Sequence, residues 1–268
     1  MADKPVKILF FGDIVGKIGR RAVAQIIPQW QAKYHPDVIL ANVENLAHGK
    51  GVTVKSLTEM REAGIDAFTG GNHIWSKEDP SDTEISQNFS LALPANSPLT
   101  PVSTRWKTVT VGKHELYILN LLGQFQMEGM VTTNPFTAFD EICQAMGQPK
   151  LLLVDFHAET TSEKVAMGLY LNGRASAVLG SHTHVPTADA RVLSQGTGYI
   201  SDLGMAGGQD TVLGVKSDII INRFKGENIG PFDWPETGPA VISAVYLELD
   251  PATGRCLQIE PLHATITV

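Results

Sequence analysis

The sequence is poor in cysteine, in net positive charge and in long apolar runs, and each shortage excludes a class of protein. Its only cysteines, Cys143 and Cys256, lie far apart, lack CxxC spacing and follow no secretory signal, so we expect two reduced, packed thiols. With 21 Lys and Arg against 28 Asp and Glu, the net charge of -7 argues against binding of long nucleic acid by bulk electrostatics. A small anionic substrate is compatible with this charge if metal ions supply positive charge locally.

The apolar stretches are too short for a targeting signal or a membrane span. Residues 1–5 lead directly into an apolar run of about six residues, whereas a bilayer span needs about 20. We therefore predict a cytoplasmic protein with no membrane partner. The chain has 268 residues, of which 43% are hydrophobic and 18% charged, and it contains no internal repeat or long linker. These properties predict one soluble globular domain over residues 1–268, and they leave a homo-oligomer open.

A strand, a helix and a second strand are predicted at the start of the chain. Residues 6–11 and 38–43 are apolar runs, and residues 20–34 between them carry an apolar stripe at helical spacing. The glycines within residues 12–19 match neither a dinucleotide fingerprint nor a P-loop. A strand, helix and strand in this order form a right-handed parallel unit, so the loops after both strands open on one edge of the sheet.

Asp13 follows the first of these strands, and Glu44 and Asn45 follow the second. The shared edge lets these three side chains meet. Two carboxylates placed there repel each other unless a cation lies between them. Glu44 could bridge two ions, with Asn45 adding a neutral oxygen. Asp13 is equally well explained as a turn or N-cap residue.

An Asn–His pair follows a third apolar run, residues 67–69. Two glycines precede Asn72 and His73, and glycine lets the backbone turn sharply and approach a ligand closely. An Asn oxygen is a neutral metal ligand, whereas an imidazole can carry a proton near neutral pH. Our hypothesis is that Asn72 holds a metal ion and His73 faces the substrate. Taken alone, such a pair is more often an ordinary part of a turn.

The later histidines also follow apolar runs. Residues 151–154 lead into Asp155 and His157, so His157 is either a satisfied core residue or a metal ligand, and Asp155 on the same face could orient its ring. His182 and His184 are two residues apart, and in an extended segment their side chains project to one side about 6.5 to 7 Å apart. That separation suits two ions about 3.5 to 4 Å apart, each bound by one imidazole.

Two further stretches are predicted to lie near the site. Residues 76–90 are polar and contain Pro80, which favours an exposed lid or an irregular helix. Residues 202–208 are glycine-rich and are predicted to be a flexible loop that could close over a substrate. His48 is interpreted as a loop residue near the site rather than a ligand.

The collected motifs resemble those of the calcineurin-like metallophosphoesterase superfamily. They are Gly12-Asp13, Glu44-Asn45, Gly71-Asn72-His73, His157 and Gly180-Ser181-His182-Thr183-His184. The strings at residues 43–51, 155–159 and 173–177 look like those of its bacterial YmdB-like branch. The resemblance covers nearly the whole chain. It implies an α/β fold, a four-layer α/β/β/α sandwich, with a dimetal site at the carboxyl edge of the sheets.

The resemblance also implies a ligand set and an activity. By analogy, one ion would be held by Asp13, Glu44, Asn45 and His184, and the other by Glu44, Asn72, His157 and His182. His73 would be the general acid. The branch is associated with hydrolysis of cyclic nucleotides, 2',3'-cyclic ones in particular, with 3',5'-cyclic AMP as a second candidate. The chain departs from the superfamily at Val15, which stands where an Asp-x-His motif has its histidine, so Asn45 must substitute.

These residues lead to a mechanism and to two alternatives. Imidazole, carboxylate and amide donors favour Fe or Mn, with Zn as a further candidate, over Mg. Our hypothesis is that a hydroxide shared by two ions attacks phosphorus and that His73 protonates the leaving ribose oxygen. One alternative is a phosphomonoesterase or nucleotidase with the same ions. The other is a metal-stabilised regulatory protein without turnover.

Overall fold

A computed structural model describes residues 3–127, 131–227 and 230–268. The strands of these residues are β1 (Val6–Phe11), β2 (Asp13–Ile14), β3 (Val38–Asn42), β4 (Ala67–Thr69), β5 (Leu91–Ala92), β6 (Trp106–Val111), β7 (His114–Leu122), β8 (Leu151–His157), β9 (Ala177–Ser181), β10 (Arg191–Val192), β11 (Gly198–Ile200), β12 (Met205–Gly208), β13 (Thr211–Val212), β14 (Val215–Lys216), β15 (Pro239–Leu249) and β16 (Cys256–Thr267). The helices are α1 (Gly16–Tyr34), α2 (Val54–Glu62), α3 (Thr83–Asn88), α4 (Pro135–Ala145), α5 (Thr161–Tyr170) and α6 (Ser217–Phe224).

Two large sheets carry the fold. The first has eight strands in the order β2-β12-β15-β1-β3-β4-β5, with β16 paired to β15, and the second has six in the order β10-β11-β9-β8-β7-β6. Pairing is parallel through β1, β3, β4 and β5 in the first sheet and through β7, β8, β9 and β11 in the second. The carboxyl ends of the parallel strands therefore lie at one edge of each sheet, where α/β proteins place their sites.

Three apolar clusters hold these elements together. In the first, Phe11 packs with Trp30 of α1 and with Leu57 of α2, on one face of the eight-stranded sheet. The second joins the two sheets, for example Phe10 with Leu153. The third joins the six-stranded sheet to α4 and α5. The result is a mixed α/β fold. The central strands are buried on both faces, which explains why they read as continuous apolar runs.

Most predicted elements are present. Thr53 is the N-cap of α2 and forms a capping box with Ser56. The two cysteines are buried and unpaired, as expected. Helix α1 begins at Gly16 rather than residue 20. The reason is that the glycine-rich stretch continues the helix, and Gly19 lets it approach β12 closely. The single domain over residues 1–268 stays a prediction, since residues 1–2, 128–130 and 228–229 lie outside the described ranges.

The prediction of a flexible loop at residues 202–208 was wrong for its second half. Met205–Gly208 forms β12, which is buried, parallel to β2 and antiparallel to β15. Glycine suits the end of this strand because neighbouring side chains pack closely against it: a Cβ on Gly208 would lie 2.7 Å from Pro235 Cγ. The strand also packs against α1, where a Cβ on Gly19 would lie 2.2 Å from the carbonyl oxygen of Ala206. Residues 76–90 contain turns and then the short helix α3, which matches the alternative of an irregular helix.

Among the described ranges, the structure contains no helix with the length and apolar character required to cross a bilayer.

Candidate metal centre

The residues predicted as metal ligands come together from both sheets. Asp13, Glu44, Asn45 and Asn72 follow the first three strands of the parallel part of the eight-stranded sheet, and His157, His182 and His184 lie at or after the ends of β8 and β9. The parallel strands deliver their polar ends to adjoining edges of the two sheets. The site therefore has an acidic and amide half from one sheet and an imidazole half from the other.

Glu44 belongs to two groups of potential ligands. One group contains Glu44, His157 and His182, and the other contains Asp13, Glu44 and His184, with ligand atoms within 4.8 Å of one another in each group. Glu44 and Asp13 are almost completely buried. A carboxylate common to two such groups can bridge two cations, so the geometry is suited to a dinuclear centre.

The two predicted amide ligands each lie beside one group. Asn72 Oδ1 is 2.9 Å from His157 Nε2, and Asn45 Oδ1 is 3.2 Å from His184 Nε2. The amide nitrogen of Asn45 donates to the carbonyl oxygen of Gly49 at 3.0 Å. Because that bond points the nitrogen away from the site, the oxygen of Asn45 faces the imidazole and is the atom offered to a cation.

Outside acceptors orient two of the rings. His184 Nδ1 lies 3.0 Å from the carbonyl oxygen of Leu213, which can only accept a hydrogen bond, so the neutral ring carries its proton on Nδ1. His182 Nε2 lies 3.0 Å from a carboxylate oxygen of Glu159. Each ring thus directs its other nitrogen toward the ligand groups, as metal-binding histidines do. Glu159 was not predicted as a site residue, although it lies two residues after His157.

The segment that carries His182 and His184 is not extended, so the prediction of two side chains on one side of a strand was wrong. Strand β9 ends at Ser181, and both histidines have left-handed backbone angles, with φ of 97° and 64°. The buried Asp202 holds this turn by accepting hydrogen bonds from the backbone nitrogen and hydroxyl of Thr183 at 3.0 and 2.8 Å. The left-handed turn sends the two rings to different groups.

The buried polar atoms fit a bound cation. Asp13 Oδ1 has no hydrogen-bond partner among the described residues, although buried carboxylate oxygens are normally satisfied. Gly71 leaves room for the ligands, because a Cβ there would lie 2.3 Å from Glu44 Oε2 and 2.7 Å from His157 Cε1. A carboxylate oxygen together with imidazole nitrogens is a donor set that transition metals prefer. The absence of a side chain at Gly71 leaves space for these donors.

Burial and mutual attraction shift the pKa values of the site in opposite directions. Burial raises the pKa of Asp13 to about 6, against the attraction of the neighbouring rings. Burial also acts to raise the pKa of Glu44, but the charge and hydrogen bond of His157 bring that pKa well below its usual range. Glu44 therefore stays ionised and is available to cations.

The rings show the same competition. Burial favours neutral His157, yet Glu44, 3.2 Å from its Nε2, and Asp13 outweigh it and raise the pKa of His157 to about 9. Burial together with the nearby His157 lowers the pKa of His182 to about 3. A proton and a metal ion compete for the same lone pair of the His157 ring. The proton that Glu44 and Asp13 stabilise on this ring is therefore the charge that a bound cation would replace.

His73 lies at the rim of the ligand groups. Its backbone nitrogen donates to Glu44 Oε2 at 2.9 Å, which ties the residue to the carboxylate common to both groups. The side chain is half-buried, and burial lowers its pKa. A less basic imidazole releases its proton more readily, so His73 can act as an acid toward a group bound between the ligands. His48 is exposed and belongs to neither group.

The predicted role of Asp155 needs a correction. Asp155 does not contact the His157 ring directly, since the hydroxyl of Ser181 lies between them, 2.5 Å from Asp155 Oδ1 and 2.9 Å from His157 Nδ1. Sequence reasoning missed Ser181 because a serine before an HxH string has no distinctive signal. Its position at the end of β9, opposite His157 in the parallel register, is a tertiary fact.

Comparison with known proteins supports a common family. A family model described as YmdB-like protein matches residues 9–262. The chain is 42% identical to a 2',3'-cyclic-nucleotide 2'-phosphodiesterase of Bacillus subtilis (strain 168), over 95% of this chain and 96% of that protein. Among solved structures, a novel phosphatase from Mycoplasma pneumoniae is similar, with a TM-score of 0.90, 33% identity, and 99% and 95% of the two chains covered. A hypothetical protein from Thermus thermophilus has a TM-score of 0.86, 35% identity, and 97% and 99% coverage.

Proposed function

Because the chain belongs to the YmdB-like protein family, we propose that it is a dinuclear-metal-dependent phosphodiesterase that hydrolyses cyclic nucleotides. We place 2',3'-cyclic nucleotides before 3',5'-cyclic AMP, in line with the name of the Bacillus relative. The 42% identity to that relative over nearly the full length shows that the chain is a phosphoester hydrolase. The observation that carries the proposal is that Glu44 belongs to both groups of potential ligands.

In the proposed centre, Asp13, Glu44, Asn45 and His184 would hold one ion, and Glu44, Asn72, His157 and His182 would hold the other. The mixture of carboxylate, amide and imidazole donors favours Fe or Mn, with Zn as a further candidate. Such ions, when bound, lower the pKa of a water from about 15.7 to about 7 and so supply a nucleophile near neutral pH. The support for this set is the unpartnered oxygen of Asp13 and the proximity of the remaining donors.

His73 is the proposed general acid. It follows Asn72 directly in the chain, and the bond from its backbone to Glu44 keeps it beside the ligand groups. Its role is to donate a proton to the ribose oxygen that leaves phosphorus. Burial lowers the pKa of His73, and this makes its protonated ring a stronger acid toward the leaving oxygen.

A cavity beside the centre supports a substrate larger than inorganic phosphate. It has a volume of about 290 Å³ and is bordered by His184, with Pro186, Met205, Val241 and His263 among its walls. Mainly apolar walls with a few polar groups are typical of small-molecule pockets. The cavity shares His184 with the proposed centre, so a nucleoside attached to a bound phosphate could extend into it.

We also propose a four-layer fold and a cytoplasmic location for the protein. The three apolar clusters, which join helices to one sheet, sheet to sheet and the second sheet to helices, support a four-layer α/β/β/α sandwich. A cytoplasmic location stays a prediction from the sequence. The substrate is the only partner that the proposed activity requires.

A phosphoester panel tests the proposal. Purified protein with measured metal content would be assayed on 2',3'-cyclic AMP, 3',5'-cyclic AMP and nucleoside monophosphates. We expect turnover of the 2',3'-cyclic diester above the others. Faster turnover of the monoesters would favour the nucleotidase alternative, which the phosphatase from Mycoplasma pneumoniae makes the nearest rival. Bound metal without turnover of any compound would support the regulatory alternative.

A further inference from the structure

A buried carboxylate beneath the proposed centre connects the two sheets. Asp155 of β8 is completely buried and accepts three hydrogen bonds. Ser181 of β9 donates at 2.5 Å, and two donors reach it from the other sheet: Thr69 of β4 at 2.5 Å and Asn42 of β3 at 2.9 Å. The carboxylate therefore joins the sheet that carries the acidic half of the site to the sheet that carries the imidazole half.

The network continues from Asn42 to the backbone of the acidic half. The amide nitrogen of Asn42 also donates to the carbonyl oxygen of Gly70 at 2.7 Å, and its oxygen accepts from the backbone nitrogen of Glu44 at 3.0 Å. One chain of hydrogen bonds thus runs from Asp155 to the strand ends that precede Glu44 and Asn72. Buried networks of this kind are rigid when every member is satisfied.

The network also determines which nitrogen of His157 carries a proton. Ser181 has one hydroxyl proton and donates it to Asp155 Oδ1, so its oxygen can only accept from His157 Nδ1, 2.9 Å away. The neutral ring then holds its proton on Nδ1 and presents the lone pair of Nε2 to Asn72 and Glu44. Leu213 orients His184 through Nδ1 and Glu159 orients His182 through Nε2, each by direct contact. Within the described ranges, His157 differs from these two rings because a hydroxyl lies between it and its carboxylate.

We propose that Ser181 and Asp155 act as positioning residues, which hold His157 as the Nδ1–H tautomer and keep the two halves of the site in register. This inference rests on the proposed metal centre and adds residues to it that do not touch the ion or the substrate. The hydroxyl is essential to the relay, because a methyl group can neither accept from His157 nor donate to Asp155.

Substitution of two serines at opposite ends of β9 tests the relay. Ser181→Ala removes the hydroxyl at the site end of β9. Ser176→Ala is the matched control, because Ser176 is also buried and hydrogen-bonded, to the backbone of Leu152 and Lys150, but precedes the opposite end of β9. Zinc affinity would be measured by chelator competition on protein verified as folded. We expect Ser181→Ala to bind zinc about 10 to 100-fold more weakly than the parent, which is the usual loss when a hydrogen-bond partner of a metal-binding histidine is removed. Ser176→Ala should bind zinc as tightly as the parent does. Equal affinity in Ser181→Ala and the parent would overturn the proposal, as would equal losses in both variants.

A variant of the other sheet tests the register. Thr69→Val keeps the shape of the side chain and removes its donation to Asp155. We expect zinc affinity to fall in this variant too, although the Thr69 hydroxyl hydrogen-bonds to Asp155 and to no proposed ligand within the described part of the chain. Unchanged affinity would show that the connection between the sheets has no role at the centre.

The tautomer can be measured without any change to the network, so the proposal remains testable if a variant fails to fold. In zinc-loaded protein labelled with ¹⁵N-histidine, the His157 ring is identified by comparison with His157→Gln. We expect a proton on Nδ1. A proton on Nε2 would overturn the assignment. Zinc binding by the parent, with these results but without hydrolysis of any phosphoester, would contradict the proposed function and leave the relay intact.

Discussion

Glu44 is the residue to which both halves of the proposed centre are tied. It is common to the two groups of potential ligands, it lies 3.2 Å from His157, and it accepts from the backbone of His73. A buried carboxylate with several cationic or imidazole neighbours is costly to leave without a counter-charge. Loss of this one side chain should therefore affect both ions, whereas loss of any histidine should affect one.

We predict that Glu44→Ala loses both ions, as measured by metal analysis of the purified variant. The control is Glu163→Ala. Glu163 is also a buried carboxylate, which accepts from the backbone nitrogen of Gln124 at 2.9 Å and belongs to neither ligand group. The control should lose about 1 to 3 kcal/mol of stability, because it leaves backbone donors unsatisfied, yet keep its metal. Full metal content in Glu44→Ala would contradict the bridging role.

A variant of His73, the proposed general acid, allows catalysis to be tested independently of metal binding. We predict that His73→Ala keeps its metal and hydrolyses 2',3'-cyclic AMP more slowly by about 10² to 10⁴, the usual contribution of a general acid. The measurement is kcat alongside metal content. His35→Asn is a suitable control, because His35 is exposed and ends α1 with φ of 48°, an angle that Asn tolerates. Wild-type turnover by His73→Ala would show that another group is the acid.

At the scale of elements, backbone contacts decide where the loops of the site can lie. Gly19 of α1 packs on Ala206 of β12, and β12 in turn pairs with β2, which contains Asp13. The close approach of a helix to this strand therefore supports the position of a proposed ligand. The glycines that made residues 202–208 look flexible instead allow tight packing.

We predict that Gly19→Ala destabilises the protein, although alanine is favoured over glycine in helices by about 1 kcal/mol. The added Cβ would lie 2.2 Å from a backbone carbonyl oxygen that cannot turn away as a flexible side chain could. Overpacking of this kind costs about 1 to 3 kcal/mol, so the contact should outweigh the propensity. Urea unfolding would measure the difference, with Gln25→Ala on the exposed face of α1 as the control. A more stable Gly19→Ala would mean that α1 can move away from β12.

At the scale of the whole molecule, the proposed centre lies between the two sheets and includes side chains from both. The side chains from the two sheets are far apart in the sequence: Asn72 and His157 are separated by 85 positions. A cation that binds the assembled set has no comparable site in the unfolded state. Binding therefore contributes to the stability of the entire fold.

We predict that removal of metal lowers the free energy of unfolding by about 2.7 kcal/mol for each bound ion, relative to protein with free metal at 100 times the dissociation constant of that ion's site. Urea unfolding with chelator and with added metal would measure this. The Glu44→Ala variant should unfold at the same urea concentration under both conditions. If the parent also showed no difference, no ion would bind preferentially to the folded protein.

The sequence by itself determined the elements and the identity of the candidate ligands. Apolar periodicity is local, so strands such as β1 and β8 and the capped helix α2 can be read from neighbouring residues. Polar residues directly after apolar runs indicate strand ends, and parallel connection brings such ends to one edge. For this reason Asp13, Glu44 and Asn72 could be placed at one edge before the structure. His157, which lies in the other sheet, joined them only through the resemblance to the YmdB-like family, and that resemblance was confirmed.

Only the tertiary structure decided how those residues are held. The left-handed turn at His182 and His184 depends on hydrogen bonds to Asp202. Strand β12 pairs with β2 near the start of the chain and with β15 near its end. Ser181 lies between Asp155 and His157 because of the register of β8 and β9. Each of these contacts joins residues that are distant in sequence and carries no local pattern. Hydrogen-bond partners across sheets are selected by packing of the whole fold, which is why local chemistry predicts the ligands but not their supports.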